Sequence, residues 1–277
     1  MNEFKDIRNK NVLITGAGRG IGKRLALGFA KAGARVGLLA RTQPELDLAK
    51  LEIEHAGGSA LKIRADVRDF EAMQVAVDRM QVVFGGVDVL IASAAIQGPI
   101  GTIAQIDAKA WAETIQVNLV GVMLACRAVL PQMIDRRRGK IIALAGGGSN
   151  YSRPNFSAYA ASKTGLVRFV ESVADEVRDH NVQVNCLSPG AAYSHMTDEI
   201  LHAGEDRAGR KEIENAQQVR VTGGIPPEKQ IQLALFLASE RSNHISGKLI
   251  HVSDDLKKIE NANMSPEAFT LRRVQKF

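Results

Sequence analysis

The sequence predicts an α/β fold: a Rossmann-type doubly wound parallel β-sheet of about seven strands with helices on both faces. Three observations predict it. Short apolar runs rich in Val, Ile and Leu alternate with longer stretches of helical period. A glycine-rich turn joins the first run to the first helical stretch. The 277 residues, 45% of them hydrophobic, are enough to bury one wide core.

Strands are expected near Asn11–Thr15, Arg35–Ala40, Ala60–Ala65, Val87–Ala92, Lys140–Leu144, Val182–Leu187 and Lys248–Val252. Between the first two, Ile21, Leu25 and Phe29 recur every four residues and Gly33 marks the stop, the pattern of a helix with one face on a sheet. Long helical patterns cover about Ala110–Met133 and Asn155–Asp179, and a shorter one Pro227–Ser239. The polar, charge-rich segment Ala191–Gly224 reads as a partly helical lid over the substrate. No repeat or linker divides the chain, so residues 1–255 read as one dinucleotide-binding and catalytic domain and 256–277 as a C-terminal extension.

The turn reads Thr15-Gly16-Ala17-Gly18-Arg19-Gly20-Ile21-Gly22. It misses the GxGxxG fingerprint, because Ile21 and Lys23 stand where the third glycine would be, and it misses the P-loop, because Arg24 stands where that motif needs Ser or Thr. It spells GxxxGxG instead. Gly16 turns the chain out of the strand, Gly20 lets the backbone approach a pyrophosphate, Gly22 lets the helix sit close to the sheet, and the helix N-terminus offers free N–H groups. At the end of the second strand, where an NAD site carries Asp or Glu roughly 20 residues past the loop, Ala40 is followed by Arg41 and Thr42. Arg41, with Arg19 and the Thr42 hydroxyl, suits a 2′-phosphate, which favours NADP(H) over NAD(H).

Other classes are disfavoured. The formal charge of +6 is scattered apart from Arg136-Arg137-Arg138 and Arg272-Arg273, and neither run is interleaved with aromatic residues, so nucleic acid is not an expected partner. The longest charge-free stretch, Val89 to Ile106, is broken by glycines, a proline and glutamines, and reads as strand plus loop, not as a membrane span. Cys126 and Cys186 have no metal-ligand spacing, so no metal is expected, and they read as buried thiols. The first residues carry acids and no apolar core of a signal peptide, and the expected location is cytoplasmic.

Tyr159-Ala160-Ala161-Ser162-Lys163 places Tyr and Lys one helical turn apart on one face. With the glycine turn, this resembles the short-chain dehydrogenase/reductase family over about residues 7–253. The resemblance implies hydride transfer between a nicotinamide and a carbonyl or alcohol carbon. Tyr159 would be the acid or base, Lys163 would stabilise the phenolate and hold the nicotinamide ribose, and Asn118 would support a water relay. It further implies Asp66 and Val67 at the adenine, Ala94 beside the cofactor, Pro189 and Gly190 after the sixth strand, and Ser194 at the carboxamide. A free phenol titrates near 10, so Tyr159 needs such help at neutral pH.

The sequence departs from the family at three places. The family's serine lies thirteen positions before the tyrosine, which here is Gly146, in Ala145-Gly146-Gly147-Gly148-Ser149. Three readings stay open: the flexible loop brings Ser149 or Ser152 into reach; a water, Ser93 or a substrate hydroxyl substitutes; or the chain binds cofactor without efficient turnover. Ala92-Ser93-Ala94-Ala95 replaces the usual Asn-Asn-Ala-Gly. Asp254-Asp255 and a long tail follow the last strand, and the tail is expected to cross a subunit interface.

The expected activity is therefore NADP(H)-dependent reduction of a ketone or oxidation of a secondary alcohol. The charged lid favours a polar substrate such as a sugar derivative, with a 3-oxoacyl thioester also open. The alternatives are a catalytically impaired dinucleotide-binding protein, acting as a sensor or assembly partner, and an epimerase or dehydratase with a retained cofactor. A homodimer or homotetramer built on the two long helices is expected.

Overall fold

The computed structural model describes residues 4–273. Seven strands form one all-parallel sheet in the order β3-β2-β1-β4-β5-β6-β7: β1 Asn11–Thr15, β2 Arg35–Ala40, β3 Ser59–Arg64, β4 Val89–Ala92, β5 Gly139–Leu144, β6 Val182–Ser188 and β7 Leu249–His251. Each expected strand is present, β1 and β2 with the expected bounds and the others with ends displaced by at most two residues. Such runs read continuously apolar because both faces are covered. Along β1, Leu13 faces one core layer while Val12 and Ile14 face the other, and along β5 Ile141 and Ala143 oppose Ile142 and Leu144 in the same way.

The helices are α1 Gly20–Lys31, α2 Gln43–His55, α3 Phe70–Phe84, α4 Ala108–Ile115, α5 Gly121–Asp135, α6 Ser157–Glu176, α7 His195–Ala208, α8 Arg210–Thr222, α9 Pro227–Ala238 and α10 Leu256–Glu260. Met73 and Met80 of α3, Val122 and Val129 of α5 and Leu166 and Val170 of α6 fill one layer, and Phe29 of α1, Leu46 of α2 and Phe236 of α9 fill the other. The sequence reading passed over α2, which is heavily charged on its outer face, and α3, whose exposed Val75, Val82 and Val83 blur the buried stripe of Met73, Ala76, Val77 and Met80. The single helix expected over Ala110–Met133 is α4 and α5 joined by a wide π-type turn, Gln116–Val120, in which the Gly121 N–H reaches back five residues to the Gln116 carbonyl. Taken together, Ala108–Asp135 is long and apolar enough to cross a membrane, but half of its most apolar window is buried in the protein, as in a core helix.

The strand order reverses between β1 and β4, and the crevice beyond their C-terminal ends is where doubly wound sheets bind ligands. The lid segment is mainly the helix pair α7 and α8, anchored by an isolated bridge between Ala192 and Gly224. The tail folds back on its own chain. Leu249 N–H donates to the Phe269 carbonyl at 2.7 Å, Lys248 Nζ to the carbonyls of Ser265 and Pro266 at 2.9 Å each, and Arg272 pairs with Glu171 of α6 at 2.5 Å.

Candidate active site

Above the switch point lies a cleft of about 1530 Å³. Gly16, Gly18, Arg19, Gly20, Ile21, Gly22, Arg41, Thr42, Asp66, Val67, Ala94, Ser149, Tyr159, Lys163, Pro189, Gly190 and Ser194 all line it. Of the expected site residues, only Asn118 lies outside the lining.

The glycine turn is built as a cradle. At Gly16 (φ +68°) a β-carbon would stand 2.8 Å from the Ala94 Cα, and at Gly22 it would stand 2.3 Å from the Gly16 carbonyl oxygen. Any side chain at either place forces the turn off β4 or the helix off the turn. Thr15 fixes that contact from below, its buried hydroxyl accepting the N–H groups of Ser93 and Ala94 at 3.1 and 3.2 Å. Arg19, at the N-cap of α1, makes no side-chain cap, so the first-turn N–H groups remain available. Anionic pyrophosphate is what such a turn accepts. Ser93 lies against the turn, since a β-carbon on Gly22 would come within 3.1 Å of its hydroxyl oxygen.

At the end of the cleft beside β2, Arg19 pairs with Glu45 at 3.5 Å and Arg41 with Asp66 at 3.9 Å, both arginines being more than half exposed. Asp66 is held mainly by Arg68, whose Nη2 reaches it at 2.7 Å, and that hydrogen bond keeps the Asp66 carboxyl below its ordinary range. Arg68 also meets Glu113 at 3.0 Å.

Across the cleft, Tyr159 and Lys163 rise one turn apart on α6, both buried, with Nζ 5.7 Å from the centre of the phenol ring. Lys163 donates one hydrogen bond to the Leu144 carbonyl at 2.7 Å, which leaves two of its three donors for the cleft. Burial pushes its pKa down to about 8. Burial also raises the Tyr159 phenol, and the Arg153 charge opposes that rise. Asn118 sits in the wide turn, where its Oδ1 accepts the Ile96 N–H at 2.8 Å and its Nδ2 donates to the Ile96 carbonyl and to Ser162 Oγ at 2.9 and 3.1 Å. Both amide hydrogens and the oxygen are engaged in clamping the chain after β4 to α6. Gly146 lies directly against Tyr159: a β-carbon there would be 2.5 Å from the phenolic oxygen. Ser149 follows in the same loop, buried at the cleft wall, its N–H bonded to the Gly146 carbonyl at 3.1 Å.

Two lining residues, Arg153 and Arg24, had no sequence signal. Arg153 stacks on Phe156, its guanidinium carbon 4.0 Å from the ring centre, and makes a two-pronged pair with Glu212 of α8 at 3.1 and 2.6 Å. Arg24 of α1 holds the Tyr193 carbonyl at the foot of the lid at 3.1 Å. Their partners lie 59 and 169 residues away, so no local pattern announces them.

A parallel sheet with a glycine cradle at its switch point, facing a buried Tyr and Lys on one helix, defines a nicotinamide-dependent oxidoreductase. The short chain dehydrogenase family model matches residues 10–204. The 5-keto-D-gluconate 5-reductase of Escherichia coli K12 is 30% identical over 252 residues, which are 91% of this chain and 97% of that protein. The 3-oxoacyl-[acyl-carrier-protein] reductase of Thermotoga maritima is 30% identical over 90% of this chain and 98% of its own. The crystal structure of a gluconate 5-dehydrogenase from Burkholderia cenocepacia, in complex with NADP and tartrate, superposes with a TM-score of 0.78 at 26% identity, covering 90% of this chain and 96% of that one. The chain belongs to the short-chain dehydrogenase/reductase family of NAD(P)-dependent oxidoreductases, whose members act on small carbonyl and alcohol substrates.

Proposed function

We propose that this protein is an NADP(H)-dependent oxidoreductase that interconverts a ketone and a secondary alcohol, with Tyr159 as acid or base. The observation that carries the reading is the buried Tyr159–Lys163 pair facing the glycine cradle across one cleft. When bound, the nicotinamide supplies or accepts a hydride. The chain's own residues do the rest: Tyr159 gives its proton to the carbonyl oxygen, and the charge on Lys163 lowers the cost of the phenolate left behind. The free donors of Lys163 suit the ribose hydroxyls, and Asp66 with Val67 flanks the adenine end. Ser194, at the N-cap of α7, faces the turn across the cleft, 4.0 Å from where a β-carbon on Gly20 would stand.

The 2′-phosphate preference rests on Arg19 and Arg41. Their present ion pairs are long and exposed, worth little, and easily exchanged for a phosphate. A polar substrate is favoured by the charged lid, with Asp198, Glu199 and Glu212 on the cleft wall. We take the assembly to be a homodimer or homotetramer through the long helices and the location to be cytoplasmic.

Gly146 supports a second reading, a dinucleotide-binding protein with little turnover, because removing a donor to the reacting oxygen typically costs about 10²–10³ in rate. Single-turnover oxidation of NADPH against a panel of ketones decides between them. Ketone-dependent loss of the reduced nicotinamide absorbance is expected; tight NADPH binding with no such loss from any ketone would establish the second reading.

A further inference from the structure

Gly146 leaves the reacting oxygen without the hydroxyl donor that the resemblance expects, and the loop around it shows what stands nearby. A β-carbon on Gly147 would lie 3.8 Å from Arg153 Nη1, and the Arg153 Cβ packs 3.2 Å from the corresponding position on Gly148. The guanidinium carbon is 5.7 Å from the centre of the Tyr159 ring. The group is a cation on the wall of the cleft, its side chain only 12% exposed.

Its orientation is over-determined. Phe156 supports the guanidinium plane, and Glu212 engages Nε and Nη2, so three attachments fix the fork. Nη1 takes no part in them and has no hydrogen-bond partner among the described residues. A rigid guanidinium with one free edge, set beside the loop that lacks the serine and 5.7 Å from the centre of the Tyr159 ring, has the chemistry of a donor to developing negative charge.

We infer that Arg153 Nη1 is the hydrogen-bond donor to the substrate oxygen, replacing the hydroxyl absent at Gly146. The inference rests on the ketone–alcohol reading above. As the Tyr159 proton forms the new O–H bond, the carbonyl π pair withdraws onto oxygen. Arg153 donates a hydrogen bond and keeps its proton, so the two-electron balance stays that of hydride transfer from the reduced dinucleotide to the carbonyl carbon. Glu212 is then a positioning residue, and because it belongs to α8, the donor is aimed only while the lid helix is docked.

The test uses the full chain with NADPH and whichever ketone the wild type reduces. Arg153→Gln is expected to lower kcat about 100-fold with the NADPH Kd unchanged, and Arg153→Lys to remain at least 10-fold down, because an ammonium lacks the fork. In Arg153→Ala, millimolar ethylguanidinium should restore part of kcat where sodium does not. A readout independent of turnover is the ultraviolet titration of Tyr159, taken as the difference from Tyr159→Phe: loss of the Arg153 cation should move it upward. A wild type that reduces ketones while Arg153→Gln keeps kcat within threefold, or an unmoved Tyr159 titration, overturns this inference alone. A wild type inert to every ketone overturns the ketone–alcohol reading and this inference with it.

Discussion

The phenolic oxygen of Tyr159 rests against the backbone of Gly146, with only 2.5 Å between it and the place a β-carbon would occupy. The glycine that removes one hydroxyl from the site is also what lets the other hydroxyl lie where it does. Gly146→Ala should therefore displace Tyr159 by a fraction of an ångström and lower kcat about 10–100-fold, the scale of a small misplacement of a reacting group. NADPH fluorescence titration should show an unchanged Kd, and an Ala variant with full kcat would mean that the contact does not set the position of Tyr159.

On the proposed role of Tyr159, Tyr159→Phe removes the proton donor and leaves the cradle alone. A loss of about 10²–10⁴ in kcat is expected, at constant cofactor affinity, by steady-state assay and binding titration.

Arg41 and Arg19 give the cofactor prediction. A charge-assisted hydrogen bond to a phosphate is worth about 1.5–3 kcal/mol, so Arg41→Ala should raise the NADPH Kd about 10–100-fold while the NADH Kd changes little. Equal weakening toward both cofactors would show that Arg41 does not read the 2′ position.

Lys163 gives a pH dependence. Its folded pKa, pushed down to about 8, lies below its ordinary value of 10.5, so between these values the unfolded chain binds the extra proton and folding stability rises with pH on its account. In urea melts of the cofactor-free protein, the wild type should gain about 2–3 kcal/mol relative to Lys163→Met between pH 7 and pH 10.5. On the proposed mechanism catalysis carries the opposite sign, because it uses the charged form, and kcat/KM for reduction should fall as pH rises through about 8.

Much of this was legible because it is local. The strands announced themselves as apolar runs between helical stretches, and the glycine cradle and the Tyr159–Lys163 spacing lie within a few residues of chain. The reading failed where the information is distant. Arg153 needs Glu212 to acquire an orientation, Arg24 needs Tyr193, and nothing in the order of residues says that they meet. The clamp that the Asn118 side chain makes with Ile96 and Ser162 lies inside a wide turn that periodicity could not register. The α2 helix escaped because its charges dilute the apolar stripe, and α3 because Val75, Val82 and Val83 on its exposed face hide the period of the buried one.

The clamp itself is testable. Asn118→Ala would strand the Ile96 N–H and carbonyl in the interior, and a destabilisation of about 2–4 kcal/mol is expected in thermal or urea unfolding. A loss below 0.5 kcal/mol would show that those groups find other partners.

The tail changes what the sheet offers to other chains. An open edge strand is a template that any extended segment can extend, and this molecule fills the template at one end with itself, since the Leu249 N–H is already given to Phe269. At the other end, β3 carries Lys62 and Arg64, charges that discourage a flat neighbour. A sheet finished in this way is guarded against growth at both margins.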